Sequence, residues 1–185
     1  MMCFKSDEKS VSLAAEKLKE GSVVILPTDT VYGFSTIIGR DGEKIRKIKG
    51  REEGKPFIVL IDSPESVKKL SNQKIPESLL KYWPGPLTII LESTLNDSFP
   101  TVAVRCPGDD WLRKVIKECD SPIYSTSVNR SGSPLLTKEK EIIEEFSSQV
   151  SLIVRDGDSS SSTPSTIVKI EGDSYKVLRQ GAVKL

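Results

Sequence analysis

The chain has 185 residues, enough for one medium-sized domain with a real core, and its 27 basic and 26 acidic side chains nearly cancel. That balance argues against a general basic coat for nucleic acid, so any basic patch has to be local. Histidine is absent, which excludes Ser–His–Asp triads, Cys–His pairs and His-ligated zinc. An enzyme made from this chain has to work by positioning and electrostatics, or move protons with carboxylates, lysines or groups of its substrate.

Three cysteines, Cys3, Cys106 and Cys119, show no C-x-x-C spacing and suit reduced thiols in a cytosolic protein. No apolar run approaches the ~20 residues needed to span a bilayer. Residues 1–8 lack a signal-peptide pattern, so a cytoplasmic protein without membrane attachment is expected.

Residues 9–20 carry Val11, Ala14, Ala15 and Leu18 on one helical stripe, and Gly21 stops the helix. Residues 22–26 read as a short strand that Pro27 ends or marks as an edge. The following Thr28-Asp29-Thr30 is either an ordinary Asx-type turn or a strand-end ligand loop. Residues 41–51 predict a helix with Ile45 and Ile48 inward and Lys44, Arg46, Lys47, Lys49 and Arg51 along it, with Lys55 beyond. Such a run is commonly a solvated face. The break at Gly50 also lets Lys49 and Arg51 leave the helix and aim at one point, as a polyphosphate site requires.

Residues 57–61 are a continuous apolar strand, suited to a sheet covered on both faces. Ser63 and Pro64 supply an N-cap and first-turn proline for a helix to about Leu70, and residues 76–82 form another short helix. Trp83-Pro84-Gly85-Pro86 makes a rigid corner before a strand over 87–92. The strand 101–105 places Thr101, Ala103 and Arg105 on one face, and residues 110–119 form a helix. An extended 123–129 puts Ser125, Ser127 and Asn129 on one face: a wall for a polar ligand, or a Ser-rich edge strand before a turn. A helix over 137–147 and strands over 152–154, 167–170 and 175–179 complete the chain, and Ser159–Thr166 is read as a loop within the domain. The mixture predicts an α/β (α+β) domain with a mixed sheet, without internal repeats. Neither G-x-G-x-x-G nor the Walker A pattern occurs.

Seven segments, in order along the chain, carry a resemblance. They are Pro27-Thr28-Asp29-Thr30-Val31-Tyr32-Gly33, Lys49-Gly50-Arg51, Trp83-Pro84-Gly85-Pro86-Leu87-Thr88, Ala103-Val104-Arg105, the stretch Ser125 to Gly132, Pro164-Ser165-Thr166-Ile167-Val168 and Leu178-Arg179-Gln180-Gly181. With them the chain resembles the YrdC-like threonylcarbamoyl-AMP synthases of tRNA modification. The resemblance implies a twisted mixed sheet wrapped by helices around a concave, positively charged site. It implies that L-threonine, bicarbonate and ATP, with Mg²⁺, yield L-threonylcarbamoyladenylate and pyrophosphate. A separate complex then transfers the threonylcarbamoyl group to adenosine 37 of tRNA, giving N6-threonylcarbamoyladenosine.

Carried over by motif, Lys49, Arg51, Ser127 and Asn129 match the K-x-R…S-x-N set that holds the nucleotide, joined by Thr101 and Arg179. Thr30, Arg105, Ser125 and Ser165 match threonine-side positions, and Lys55 adds positive charge near the first set. The chain departs from the usual pattern at Asp29, where glutamate is common, at Val128, at Gln180-Gly181 and in the insert Glu52-Glu53-Gly54. Ending soon after Arg179, it reads as the single-domain form over 1–185. The alternative is a non-catalytic paralogue that uses the same hollow for a nucleotide or structured RNA.

Overall fold

In the computed structural model, which describes residues 1–39, 42–95, 99–159, 163–172 and 174–185, the strand-forming runs join one sheet. Its strands are β1 (Met2–Phe4), β2 (Val24–Leu26), β3 (Gly33–Ile37), β4 (Ile58–Leu60), β5 (Leu87–Glu92), β6 (Thr101–Arg105), β7 (Ile123–Ser127), β8 (Leu152–Arg155), β9 (Thr166–Glu171) and β10 (Ser174–Arg179). They lie in the order β1-β8-β2-β3-β7-β4-β6-β5-β9-β10. Four parallel pairs (β1 with β8, β2 with β8, β4 with β6, β5 with β9) stand among five antiparallel ones, so the sheet is mixed as expected. The helices are α1 (Ser10–Lys19), α2 (Gly42–Lys49), α3 (Glu77–Leu80), α4 (Asp110–Cys119) and α5 (Glu139–Phe146), with a 3-10 turn at Pro64–Lys69.

Three apolar clusters hold these layers together. The stripe Ala14, Ala15 and Leu18 of α1 meets Leu112, Val115 and Ile116 of α4, and both cover Val24, Leu26 and Leu152. On the opposite face Ile45 of α2 and Ile142 and Phe146 of α5 cover Ile25, Phe34 and Ile153, with the Phe34 and Phe146 rings edge-on at 4.9 Å. Val24 and Ile25 therefore point to opposite faces, which is why β2 is apolar throughout. At the far end Leu70, Leu79 and Trp83 pack on Ile89, Leu91, Val102, Val104 and Val168. Each buried Leu, Ile, Val or Phe among them contributes about 1.5–3 kcal/mol. Among the described residues the reverse face of this last group of strands carries no helix cluster, and the cavity described below lies there.

Most elements fall within two residues of the sequence reading. β1 and β3 were not foreseen. β1 is an edge strand with exposed Met2 and Phe4, and β3, Gly-Phe-Ser-Thr-Ile, mixes small polar and apolar residues, so neither shows a clean period. The strand expected to run to Asn129 ends at Ser127, and the helices expected over 137–147 and 76–82 are shorter. Ser63 precedes a 3-10 turn and its side chain makes no capping bond, whereas Asp109 caps α4 by accepting from Leu112 N at 2.9 Å. Among the described residues, no helix is long and apolar enough to cross a membrane.

Candidate functional site

Strand register builds the site. Ser125 pairs with Ile58, Ile58 with Ala103, and Ala103 with Ile90. Directly opposed residues share a face, so these four make one row across the sheet, with Leu60 and Arg105 in the next row. The row floors a cavity of about 410 Å³, a volume usual for a small-molecule site. Gly33, opposite Ser127, also lines it. A Cβ at Gly33 would lie 2.6 Å from Ser125 Oγ, so glycine is what lets that hydroxyl sit over the backbone.

Arg105, 5% exposed, closes β6 at the cavity floor. Its Nη1 donates to Thr30 Oγ1 at 2.9 Å and its Nη2 to the Asp29 carboxylate, while Nε has no partner. The other Asp29 oxygen accepts from Gly108 N at 2.8 Å. Thr28 makes the turn that delivers both residues, its hydroxyl accepting from Thr30 N at 3.0 Å and Val31 N at 3.2 Å. Burial pulls the Arg105 guanidinium below its ordinary value and Asp29 opposes that pull.

Arg179 reaches the same hollow through an irregularity no periodicity reveals. Val177 pairs with Val168, yet Arg179 pairs with Ile167, so Leu178 is an extra residue in β10. In unbroken register Arg179 would face away from Ile167's side; the bulge turns it into the cavity that Ile167 lines. Its Nε and Nη2 donate to Ser165 O at 3.1 and 2.8 Å, and Nη2 also reaches Ser165 Oγ at 3.2 Å. Burial, then Arg105, lowers the Arg179 pKa. Arg51 completes the set, donating to Pro56 O at 3.0 Å and stacking on the Phe57 ring. Among the described residues the lining holds three arginines and no carboxylate.

Of the residues singled out in the sequence, Thr30, Arg51, Arg105, Ser125, Ser127, Ser165 and Arg179 line this cavity together. Lys49, Asn129, Thr101 and Lys55 do not. Lys49 is 3% exposed and its ammonium donates to Ser127 O (2.5 Å), Asn129 O (2.8 Å) and Asn129 Oδ1 (2.9 Å). An ammonium has three N–H groups, so these three acceptors exhaust it. The expected convergence of Lys49 and Arg51 on one point is thus corrected: a carbonyl cluster captures one side chain and the cavity the other. Burial, then Arg51, pushes Lys49 down to about 8. Asn129 is tied into the same cluster, its amide donating to Arg130 O and Ser133 O. Lys55 is exposed and paired with Glu52 at 2.8 Å. Thr101 lines a second hollow of about 210 Å³ with Phe57, Val59, Phe99 and Tyr124; Pro56 and Phe57 border both hollows.

The sequence reading gave Gly33 and Tyr32 no role, and Asp29 only a place in the Thr28–Thr30 turn or ligand loop. Tyr32 lines the cavity while its hydroxyl accepts from Asp156 N at 2.7 Å and donates to Gly157 O at 2.9 Å, and burial raises its pKa to about 12. A glycine at the start of a strand was the one local signal, since it marks close backbone approach. Among the described residues, no group of three or more His, Cys, Asp or Glu could hold a metal ion.

Residues 16–181 match the Sua5/YciO/YrdC family model, described as telomere recombination. The chain belongs to this family. All the cavity residues named above, from Thr28 to Arg179, fall inside the matched span. A threonylcarbamoyl-AMP synthase of Pyrococcus abyssi is 30% identical over 191 residues, covering 97% of this chain and 56% of that protein. The crystal structure of P. abyssi Sua5 complexed with L-threonine superposes with a TM-score of 0.86 at 32% identity, covering 95% of this chain and 55% of that one. The chain thus spans little more than half the length of these relatives. Escherichia coli YciO, at 23% identity, shares the fold over 100% of this chain and 95% of its own, with a TM-score of 0.85.

Proposed function

We propose that this Sua5/YciO/YrdC domain is a threonylcarbamoyl-AMP synthase, a nucleotidyltransferase that forms L-threonylcarbamoyladenylate and pyrophosphate from L-threonine, bicarbonate and ATP. The observation that carries the reading is Arg105. It is a buried guanidinium held by Thr30 and Asp29 with donors left over, on the floor of a cavity lined by two further arginines and no described carboxylate. A guanidinium with spare N–H groups suits the two oxygens of an amino-acid carboxylate. Binding of L-threonine by a relative of the same fold supports that choice.

Arg51 and Arg179 take the phosphates. Ser125 and Ser165 supply neutral hydrogen bonds at the amino-acid end, and Ser127 lies towards the nucleotide. Thr101 takes no part in this assignment, because its hollow is walled by Val59 and Tyr124, which point to the face opposite Ile58 and Ser125. The free threonine amine adds to CO₂ with loss of a proton, or to bicarbonate with loss of water, to give a carbamate, and a carbamate oxygen then attacks the α-phosphorus as the bond to pyrophosphate breaks. Holding the partners aligned supplies roughly 7–11 kcal/mol of the barrier reduction, and arginines at the phosphates stabilise the developing charge. The described lining offers Mg²⁺ no carboxylate, so any Mg²⁺ would come with the nucleotide and would help neutralise the phosphates beside Arg51 and Arg179. A separate transfer complex takes the adenylate to tRNA.

The test is incubation with ATP, Mg²⁺, bicarbonate and L-threonine. The expected result is pyrophosphate release that requires threonine and bicarbonate, with the adenylate identified by mass. ATP binding without threonine-dependent release overturns the enzyme and leaves a nucleotide- or RNA-binding domain.

A further inference from the structure

Beside the cavity, Thr88 is fully buried in β5 and its hydroxyl lies 2.9 Å from Ser165 Oγ. Thr88 ends the Trp83–Thr88 segment, to which no ligand role is attached, and it does not line the cavity. Its hydroxyl proton needs an acceptor, because a buried donor without one is costly. The 2.9 Å contact allows either hydroxyl to donate, but among the described residues Ser165 Oγ is the one hydrogen-bond partner of Thr88 Oγ1, so the direction that satisfies the Thr88 proton has Thr88 donating and Ser165 accepting. Arg179 Nη2 donates to the same oxygen at 3.2 Å. A serine hydroxyl has two lone pairs and one proton. With both lone pairs engaged, the one remaining capacity of Ser165 is to give its proton, and the two accepted bonds polarise the O–H towards giving it.

Ser165 itself is fixed in place by the chain after β10. Gly181 passes so close that a Cβ there would lie 2.3 Å from Pro164 O and 2.5 Å from Ser165 C. Thr166 Oγ1 accepts from Gly181 N at 2.9 Å and Val183 N at 3.1 Å and donates to Val183 O at 2.6 Å. Ser165 therefore has little freedom to re-aim, and its polarity is decided by its two neighbours.

We infer that Thr88 is a positioning residue that makes Ser165 an obligate hydrogen-bond donor to the amino-acid substrate. The inference rests on the function proposed above. It assigns the group facing Ser165 to an acceptor oxygen of that substrate, a carboxylate or carbonyl oxygen. It excludes an ammonium or other pure donor at that point.

The experiment is calorimetric titration of the wild type, Thr88→Val and Thr88→Ser, each with L-threonine and separately with ATP. Valine keeps the shape and removes the hydroxyl; serine keeps the hydroxyl. The expected result is threonine affinity about tenfold weaker in Thr88→Val, ATP affinity within about twofold of wild type, and threonine affinity restored in Thr88→Ser. Unchanged threonine affinity in Thr88→Val overturns the inference while leaving the function standing. Parallel loss of both ligands, or failure of Thr88→Ser to restore binding, makes the residue merely structural and also overturns it. A wild type that binds ATP but never L-threonine overturns the proposed function, and this inference with it.

Discussion

Lys49 and Arg105 are both buried cations beside one cavity, and they are satisfied in opposite ways. Lys49 spends its three N–H groups on Ser127 and Asn129. Arg105 has five and gives one to Thr30 and one to Asp29. The first cation is therefore complete without a ligand and closes the α2 end onto the segment after β7. The second is clamped in place but unfinished. Burial and charge do not separate these roles; counting donors against acceptors does.

The largest expected effect tests the unfinished side. Arg105→Ala removes two charge-assisted bonds to a carboxylate, each about 1.5–3 kcal/mol, so L-threonine affinity falls by at least about 100-fold. ATP affinity falls far less, and equal loss of both in titration would erase the contrast with Lys49. Lys49→Met tests the finished side. It takes this donor from the Ser127 and Asn129 carbonyls, while Asn129 Oδ1 keeps the Ser127 hydroxyl at 2.8 Å, and urea denaturation is expected to show a loss of about 2–4 kcal/mol. Unchanged stability with lost ATP affinity would return Lys49 to the phosphates.

A smaller effect is expected at Gly33. In Gly33→Ala the new methyl forces Ser125 Oγ out of its notch, weakening threonine by about tenfold with little change in Arg105. Threonine binding that is insensitive to this change would remove Ser125 from the amino-acid end.

The smallest effect is a pH dependence. Lys49 holds its proton less tightly in the folded chain, at about 8, than at its ordinary value of 10.5. Between those values the unfolded chain binds more protons, so stability rises with pH across that window. The wild type is expected to gain on Lys49→Met as pH goes from 8 towards 10.5. A difference that is flat with pH would mean that its carbonyl partners keep Lys49 charged throughout.

How far the sequence reveals this site depends on the kind of constraint. The alternation along β7 placed Ser125 and Ser127 together, because a strand's period is local. The same reasoning failed one step later at Asn129, since nothing local says where a strand stops pairing. The alternation in β6 correctly aligned Ala103 and Arg105, but Thr101 on the same face sits far enough along the strand to enter a different hollow. Arg179 depends on a bulge, and Lys49 on carbonyls contributed by a segment about 80 residues away, so neither orientation is encoded in its own neighbourhood. Asp29 reads as a turn residue from its flanks; only the arrival of β6 makes it the counter-ion of Arg105.

The order of the strands has a consequence for how the molecule comes into being. The cavity draws on residues from Thr28 to Arg179, and β9, which carries Ile167, pairs with β5 and not with its neighbour in sequence, β8. Contacts of such long range close slowly and late. A nascent chain leaving the ribosome can assemble the α1–α4 and α5 layers while one wall of the hollow is still unmade. The cavity therefore has its full lining only once synthesis has passed Arg179.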